Sequence, residues 1–189
     1  MSKTQPIKNK DKLESFRNYY RESNPRNYAL IILGLNTALR IGDVLSLQWK
    51  DLYANGDFKS HIVIREQKTG KMNQIAINSA VREALICYMG SSVEVCPNEY
   101  IFKTGKNSAG HLSRQQAFRI VKAAAQAVGL GENISCHSLR KTFGYYAWQA
   151  GTPPVLLMNI YNHSSYEITK RYLCIDQTEK DELYYSNVI

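Results

Sequence analysis

In the stretch CHSLRKTFGYYA, His137 and Arg140 stand three residues apart, a spacing that puts two side chains on one face of a helix. At a helix start the unpaired amide N–H groups and the positive end of the macrodipole favour an anion, so these two residues are suited to hold a phosphate. The spacing alone is weak, because His and Arg fall that way in many helices by chance. A second guanidinium, Arg40, interrupts the apolar pattern of TALRIGDVLSLQWKDL at the junction of two helices. Taken by itself it fits equally well an arginine that caps the carbonyls of the helix it ends. In YNHSSYEITKRYL, Tyr172 offers a hydroxyl nucleophile nine residues after His163. Unbroken helix over that distance would turn the two by about 180°. Ser164 and Glu167 read as an S-x-x-E capping box, which starts a helix just after His163 and lets both side chains face one centre. The plain alternative is that Tyr172, one of 13 tyrosines and four positions after Ile168, is a half-buried packing residue.

These residues must be carried by elements, and the sequence outlines most of them. DKLESFRNYYRE (from Asp11) and PRNYALIILGLNTAL (from Pro25) read as helices, the second opened by Asn24 as N-cap with proline at its first position. GDVLSLQW, from Gly42, reads as one short helix. HIVIREQ and NQIAIN carry alternating or β-branched apolar residues on either side of Lys68-Thr69-Gly70-Lys71, the pattern of a hairpin with a basic tip. Helices are then expected at 79–88, 113–128, 138–149, 153–161, 165–173 and 177–185. The expected fold is mostly α with a small antiparallel β-sheet (α+β), in one domain over 1–189, with 1–10 a flexible leader and no separate N-terminal domain.

Taken in order, these pieces resemble the tyrosine recombinase (phage integrase) family. The resemblance runs through TALRIGDVLSL for the first arginine, Lys68 of the QKTGK hairpin, HSLR, and HSS with Tyr172 nine residues beyond its histidine. It spans Arg40 to Tyr172, and the combination is far more specific than any single piece. It implies the family's catalytic-domain architecture and a site-specific recombinase that cuts and rejoins DNA through a 3′-phosphotyrosyl link to Tyr172, for integration, excision or inversion of a DNA element. Arg40 and Arg140 would hold the phosphate, since a guanidinium stays charged and grips two oxygens. His137 would assist proton removal from Tyr172 or bind the phosphate, and His163 would bind a phosphate oxygen. Lys68 would protonate the leaving 5′-oxygen, brought in by a mobile tip when DNA orders it. Lys71 is second choice, and either lysine could instead be a solvated turn residue touching the DNA backbone. Asp43 would support Arg40, while Lys71 and Lys141 would contact DNA. Religation by the reverse attack needs no nucleotide, and neither a P-loop nor a metal-ligand cluster is legible, so no cofactor and no metal are expected.

Bulk properties agree with such a partner. Twenty-four Lys and Arg against 16 Asp and Glu leave a net charge of +8, which favours a polyanion, double-stranded DNA before a membrane surface. The apolar stretch that begins at Ala29 is far too short to span a bilayer, and a cytoplasmic location is expected. Cys87, Cys96, Cys136 and Cys174 form no CxxC pair and are expected to be reduced thiols. His61 and His111 lie outside the matched motifs and are expected at the surface or a strand edge. The sequence departs from the family at Asn162, where glycine is usual before the histidine, and asparagine tolerates a left-handed backbone. Only about 24 residues precede the helix that leads to Arg40, where the family usually carries a separate helical DNA-binding domain, so half of a DNA clamp is expected to be missing. The resemblance further implies a homo-oligomer, a tetrameric synapse on DNA, with room for accessory DNA-bending proteins. The tail 174–189, with Leu183 and Tyr184, would dock on a neighbouring subunit or fold back on its own core. Two other readings remain: a noncatalytic DNA-binding remnant of an integrase, and a nicking-closing enzyme of the type IB topoisomerase kind.

Overall fold

A computed structural model describes residues 4–91, 93–105 and 109–188, with side chains throughout that range except at 178, 180, 182, 183 and 186. Ten α-helices and four short strands are found among the described residues. The central element is α2 (Pro25–Asn36), whose apolar run is buried nearly all round, with Leu30, Ile31, Ile32 and Leu33 fully enclosed. Asn24 caps it by accepting from the Asn27 amide, and Pro25 occupies its first turn. It packs against α5 (Ser79–Met89) and α7 (Cys136–Gln149). At Gly34 the contact with α7 is so close that a Cβ would stand 2.5 Å from Leu139 Cδ1. The end of α2, which delivers Arg40, is thereby pressed against the helix that carries Arg140.

Next along the chain come α3 (Ile41–Leu45) and α4 (Trp49–Leu52), where the sequence reads as one helix over GDVLSLQW. The break falls before Gln48, whose amide N–H donates to Asp51 and so starts a new helix. There are two sheets rather than one. Strands β3 (His61–Arg65) and β4 (Met72–Ala76) form the expected antiparallel hairpin, in register from His61↔Ala76 to Arg65↔Met72. Strands β1 (Tyr53–Ala54) and β2 (Asp57–Phe58) form another, turned by Asn55 and Gly56 at φ 54° and 82°. Asn-Gly between apolar residues is a hairpin signal that the sequence reading passed over.

Helix α1 (Lys10–Asn18) ends earlier than expected, because the chain turns through Asn18 and Tyr20 to reach the α2 cap. Helix α6 (Arg114–Ala127) follows with Ser113 and Gln116 in a capping box. Then α8 (Pro154–Tyr161) and α9 (Tyr166–Leu173) pack on each other, and α9 packs on α7. Asn162 ends α8 at φ 56°, the left-handed conformation expected of it. Ser165, not Ser164, caps α9, accepting from the Ile168 amide.

Of the leader expected to be flexible, residues 1–3 lie outside the described residues and 4–8 are docked. Ile7 is 1% exposed and its amide donates to Thr142, while the Gln5 amide donates to the Asn133 carbonyl. Residues 4–8 cross the back of α7, where an apolar side chain and two amides find partners that composition could not announce. The tail helix α10 (Gln177–Ser186) lies against this leader through a Lys8–Glu179 ion pair. Tyr184 is exposed, and the Leu183 side chain lies outside the described residues. Among the described residues no helix is long and apolar enough to cross a membrane.

Candidate active site

The site is built where the α2–α3 junction, the β3–β4 hairpin, the start of α7 and the α8–α9 pair meet. Arg40 lies at the N-terminus of α3 without capping it; its Nη1 instead donates to Glu66 Oε2 at 2.6 Å. Glu66 is 1% exposed at the end of β3 and also accepts from Thr69 Oγ1 and Asn73 Nδ2. Burial would raise its pKa, but the bonds from Thr69, Arg40 and Asn73 outweigh it and hold the carboxylate below its usual range. Two residues before Arg40, Ala38 adopts φ 52°, a conformation that costs a non-glycine residue about 1 kcal/mol or more. This turns its carbonyl toward Arg140, whose Nη1 donates to it.

Arg140 is 4% exposed, with Nη2 donating to the Ile160 carbonyl at 3.4 Å and the guanidinium lying 4.7 Å over the Tyr161 ring. Tyr161 in turn donates its hydroxyl to the Arg140 carbonyl at 2.8 Å and stacks on His163 at 5.5 Å. The Tyr172 ring completes the group, 5.1 Å from Tyr161 and 5.2 Å from His163 between ring centres. The His163 Nδ1 sits 3.1 Å from Thr169 Oγ1, so its other nitrogen is the one free to meet a ligand.

The electrostatics report the same convergence. Burial pushes the Tyr172 phenol above its ordinary value, and Arg140, by charge and hydrogen bonding, and then Arg40 pull the other way. His137, on the first turn of α7, keeps an exposed face. Desolvation on its inner side, and then the charges of Lys141, Arg140, Lys68 and Arg40, push its pKa down. Burial, Arg140 and Arg40 do the same to His163. His137 thus feels Arg40, Arg140 and Lys68 together, and His163 and Tyr172 feel both arginines, with Glu66 the carboxylate beside them.

The remaining expected residues are placed differently. Asp43 does not reach the Arg40 guanidinium; its Oδ1 accepts from the Gln67 amide at 2.9 Å and ties the hairpin to α3. Glu66 is the carboxylate that holds Arg40, and only its place just before QKTGK could have marked it. Lys71 reaches the rim, donating to Asn162 Oδ1 at 3.1 Å. Lys141 is a correction to the expected DNA contact: it is 5% exposed, donates to the Thr4 carbonyl at 2.7 Å, and its ammonium lies 5.0 Å over the Tyr172 ring. Facing inward from α7, it finds in the docked leader the acceptor that a buried ammonium requires. Tyr161, which supports Arg140, His163 and Tyr172 together, was not singled out from sequence either. His61 opens β3 beside Ser60, and His111 pairs with Lys103 in a β-bridge. The four cysteines are free thiols, with Cys174 buried.

Residues 8–179 match the phage integrase family. The chain is 41% identical over 173 residues to the probable integrase/recombinase YoeC of Bacillus subtilis (strain 168), covering 92% of this chain and 91% of that one. Its fold is similar to that of the XerA recombinase, with a TM-score of 0.77 at 20% identity over 98% of this chain and 66% of that one. It is also similar to the XerH site-specific recombinase bound to a palindromic difH substrate in a post-cleavage complex. There the TM-score is 0.74 at 20% identity, over 97% of this chain and 53% of that one. The chain thus spans less than two thirds of either solved structure.

Proposed function

We propose, from the premise that this chain belongs to the phage integrase family, that it is a site-specific recombinase which breaks and rejoins DNA with Tyr172 as nucleophile. The observation that carries this reading is the seating of the Tyr172 ring against His163 and Tyr161 in the combined field of Arg140 and Arg40. A neutral phenol and a phosphodiester anion react slowly in water, and fixed positive charge beside both lowers that barrier.

In this reading a DNA phosphate enters between Arg40 and Arg140 and takes up guanidinium donors that Glu66, Ala38 and Ile160 leave free. His163 donates to a phosphate oxygen, and His137, neutral because its pKa is lowered, accepts the Tyr172 proton. The Tyr172 oxygen bonds to phosphorus, the bond to the 5′-oxygen breaks, and Lys68 protonates that oxygen. The product is a 3′-phosphotyrosyl ester and a free 5′-hydroxyl. Attack by another strand's 5′-hydroxyl reverses the step, restoring a phosphodiester with no net energy input. Each chain carries one such tyrosine, so exchange between two duplexes calls for four copies on DNA, with the basic surface supplying much of the affinity.

The test is a trapping experiment. A pool of nicked duplexes with a randomised window is incubated with the full chain, and denaturation-resistant protein–DNA adducts are recovered and sequenced. An adduct is expected for the wild type and none for Tyr172→Phe; an adduct that survives in Tyr172→Phe overturns the choice of nucleophile. Complete absence of adduct from the wild type, with binding intact, overturns catalysis by this chain.

A further inference from the structure

A two-stranded hairpin by itself is barely stable in water, so a lysine at its tip would ordinarily be mobile. This tip is braced on almost every side. Glu66 holds Arg40, Thr69 and Asn73; the Gly70 amide returns to the Glu66 carbonyl at 2.8 Å; and Lys71 reaches Asn162. Gln67 is the most widely tied. Its amide donates to Asp43 Oδ1 at 2.9 Å, its Nε2 to the Gly42 carbonyl at 3.3 Å, and its Oε1 accepts from Arg114 Nη2 at 3.4 Å. The space for this arrangement depends on glycine at 42, where a Cβ would meet Arg114 Nη2 at 2.8 Å and Gln67 Oε1 at 3.1 Å. Lys68 alone in the turn has no hydrogen-bond or ion-pair partner among the described residues, yet its charge is felt at His137.

We propose that Gln67 is a positioning residue for Lys68: by joining the hairpin to α3 and α6 it presents the Lys68 ammonium at a set place before DNA arrives. This rests on the reading of Lys68 as the proton donor. It replaces the expectation of a donor recruited when DNA orders a mobile tip. Proton transfer is steep in geometry, and a displacement of about 1 Å can cost on the order of a hundredfold in rate. Gln67 is exposed, and truncation keeps its main-chain bond to Asp43 while removing the two side-chain bonds to Gly42 and Arg114, so it should loosen the tip without unfolding the chain.

The experiment uses the full chain and the duplex recovered by adduct trapping, made with either an ordinary phosphodiester or a 5′-bridging phosphorothiolate at the cut. A thiolate leaves without a proton, so the second substrate removes the need for an acid. Single-turnover cleavage of the ordinary ester should slow roughly ten- to a hundredfold in Gln67→Ala, with Lys68→Ala at least as slow. Both deficits should vanish on the phosphorothiolate, while that of Arg40→Ala persists. Gln67→Glu, which keeps an oxygen for Arg114, should recover part of the rate. If Lys68→Ala is relieved by sulfur and Gln67→Ala is equally slow on both esters, or is not slowed at all, the positioning role is overturned and the donor stands. If Lys68→Ala is not relieved, the donor itself is misassigned, and the role of Gln67 falls with it.

Discussion

Both histidines of the site face arginine charge, and this sets how the protein responds to acid. With their pKa values lowered by burial and by Arg140 and Arg40 among the neighbouring cations, His137 and His163 are neutral in the folded chain near pH 7. The unfolded chain binds protons more readily on these rings, so their contribution to stability is complete above the unfolded value of about 6.5 and is lost as pH falls from there through the lowered folded values. Glu66, held below the carboxylate range, contributes no slope in that window. The urea midpoint should therefore fall between pH 7.5 and pH 5.5, and fall less in a His137→Asn, His163→Asn double variant. An equal fall in both proteins would mean that neither ring is depressed. At this scale the proposed reacting residues came from the ordered resemblance, since each of Arg40, His137, Arg140, His163 and Tyr172 taken alone also fits a plain structural role. Glu66 and Gln67 were not legible, since a carboxylate and an amide beside a turn ordinarily face water.

At the scale of elements, the site depends on three helices meeting without a gap. Gly144 of α7 lies at that meeting point, where a Cβ would stand 2.3 Å from the Tyr161 hydroxyl oxygen and 2.6 Å from Leu173 Cδ2. Neither neighbour is the free end of a flexible side chain: Tyr161 is bonded to the Arg140 carbonyl and Leu173 is fully buried. Gly144→Ala should therefore push α8 and α9 outward, costing about 1–3 kcal/mol in chemical denaturation and slowing adduct formation by moving Tyr172. A variant as stable and as active as the wild type would show that the three helices tolerate the added methyl. Most helices were readable from periodicity, and the α2 start from its Asn24 cap, because those signals lie within one turn of the element they start. The Ser165 cap and the split of α3 from α4 hinge on which neighbouring residue wins a local bond, and a window of sequence does not rank them.

Across the whole molecule, the leader binds the ends of the chain to the back of the site. Ile7 is buried with Phe16, Ile31, Val121 and Leu139, Thr4 receives the Lys141 ammonium, and Lys8 pairs with Glu179. Ile7→Ala should destabilise the protein by about 2–4 kcal/mol in urea unfolding, where a loose leader would leave the midpoint unchanged. The sequence by itself determined the mostly helical class and the basic hairpin, because these rest on residue type and short-range periodicity, and its resemblance to a family picked out Arg40, Lys68, His137, Arg140, His163 and Tyr172 as the residues proposed to react. Only the tertiary structure decided that Lys141 points inward, that residues 4–8 are docked, and that Glu66 and Gln67 brace the hairpin. Each of those depends on a partner far along the chain, 137 residues away for Lys141 and Thr4. Whether a polar side chain meets water or such a partner is settled by packing, which pattern alone does not contain.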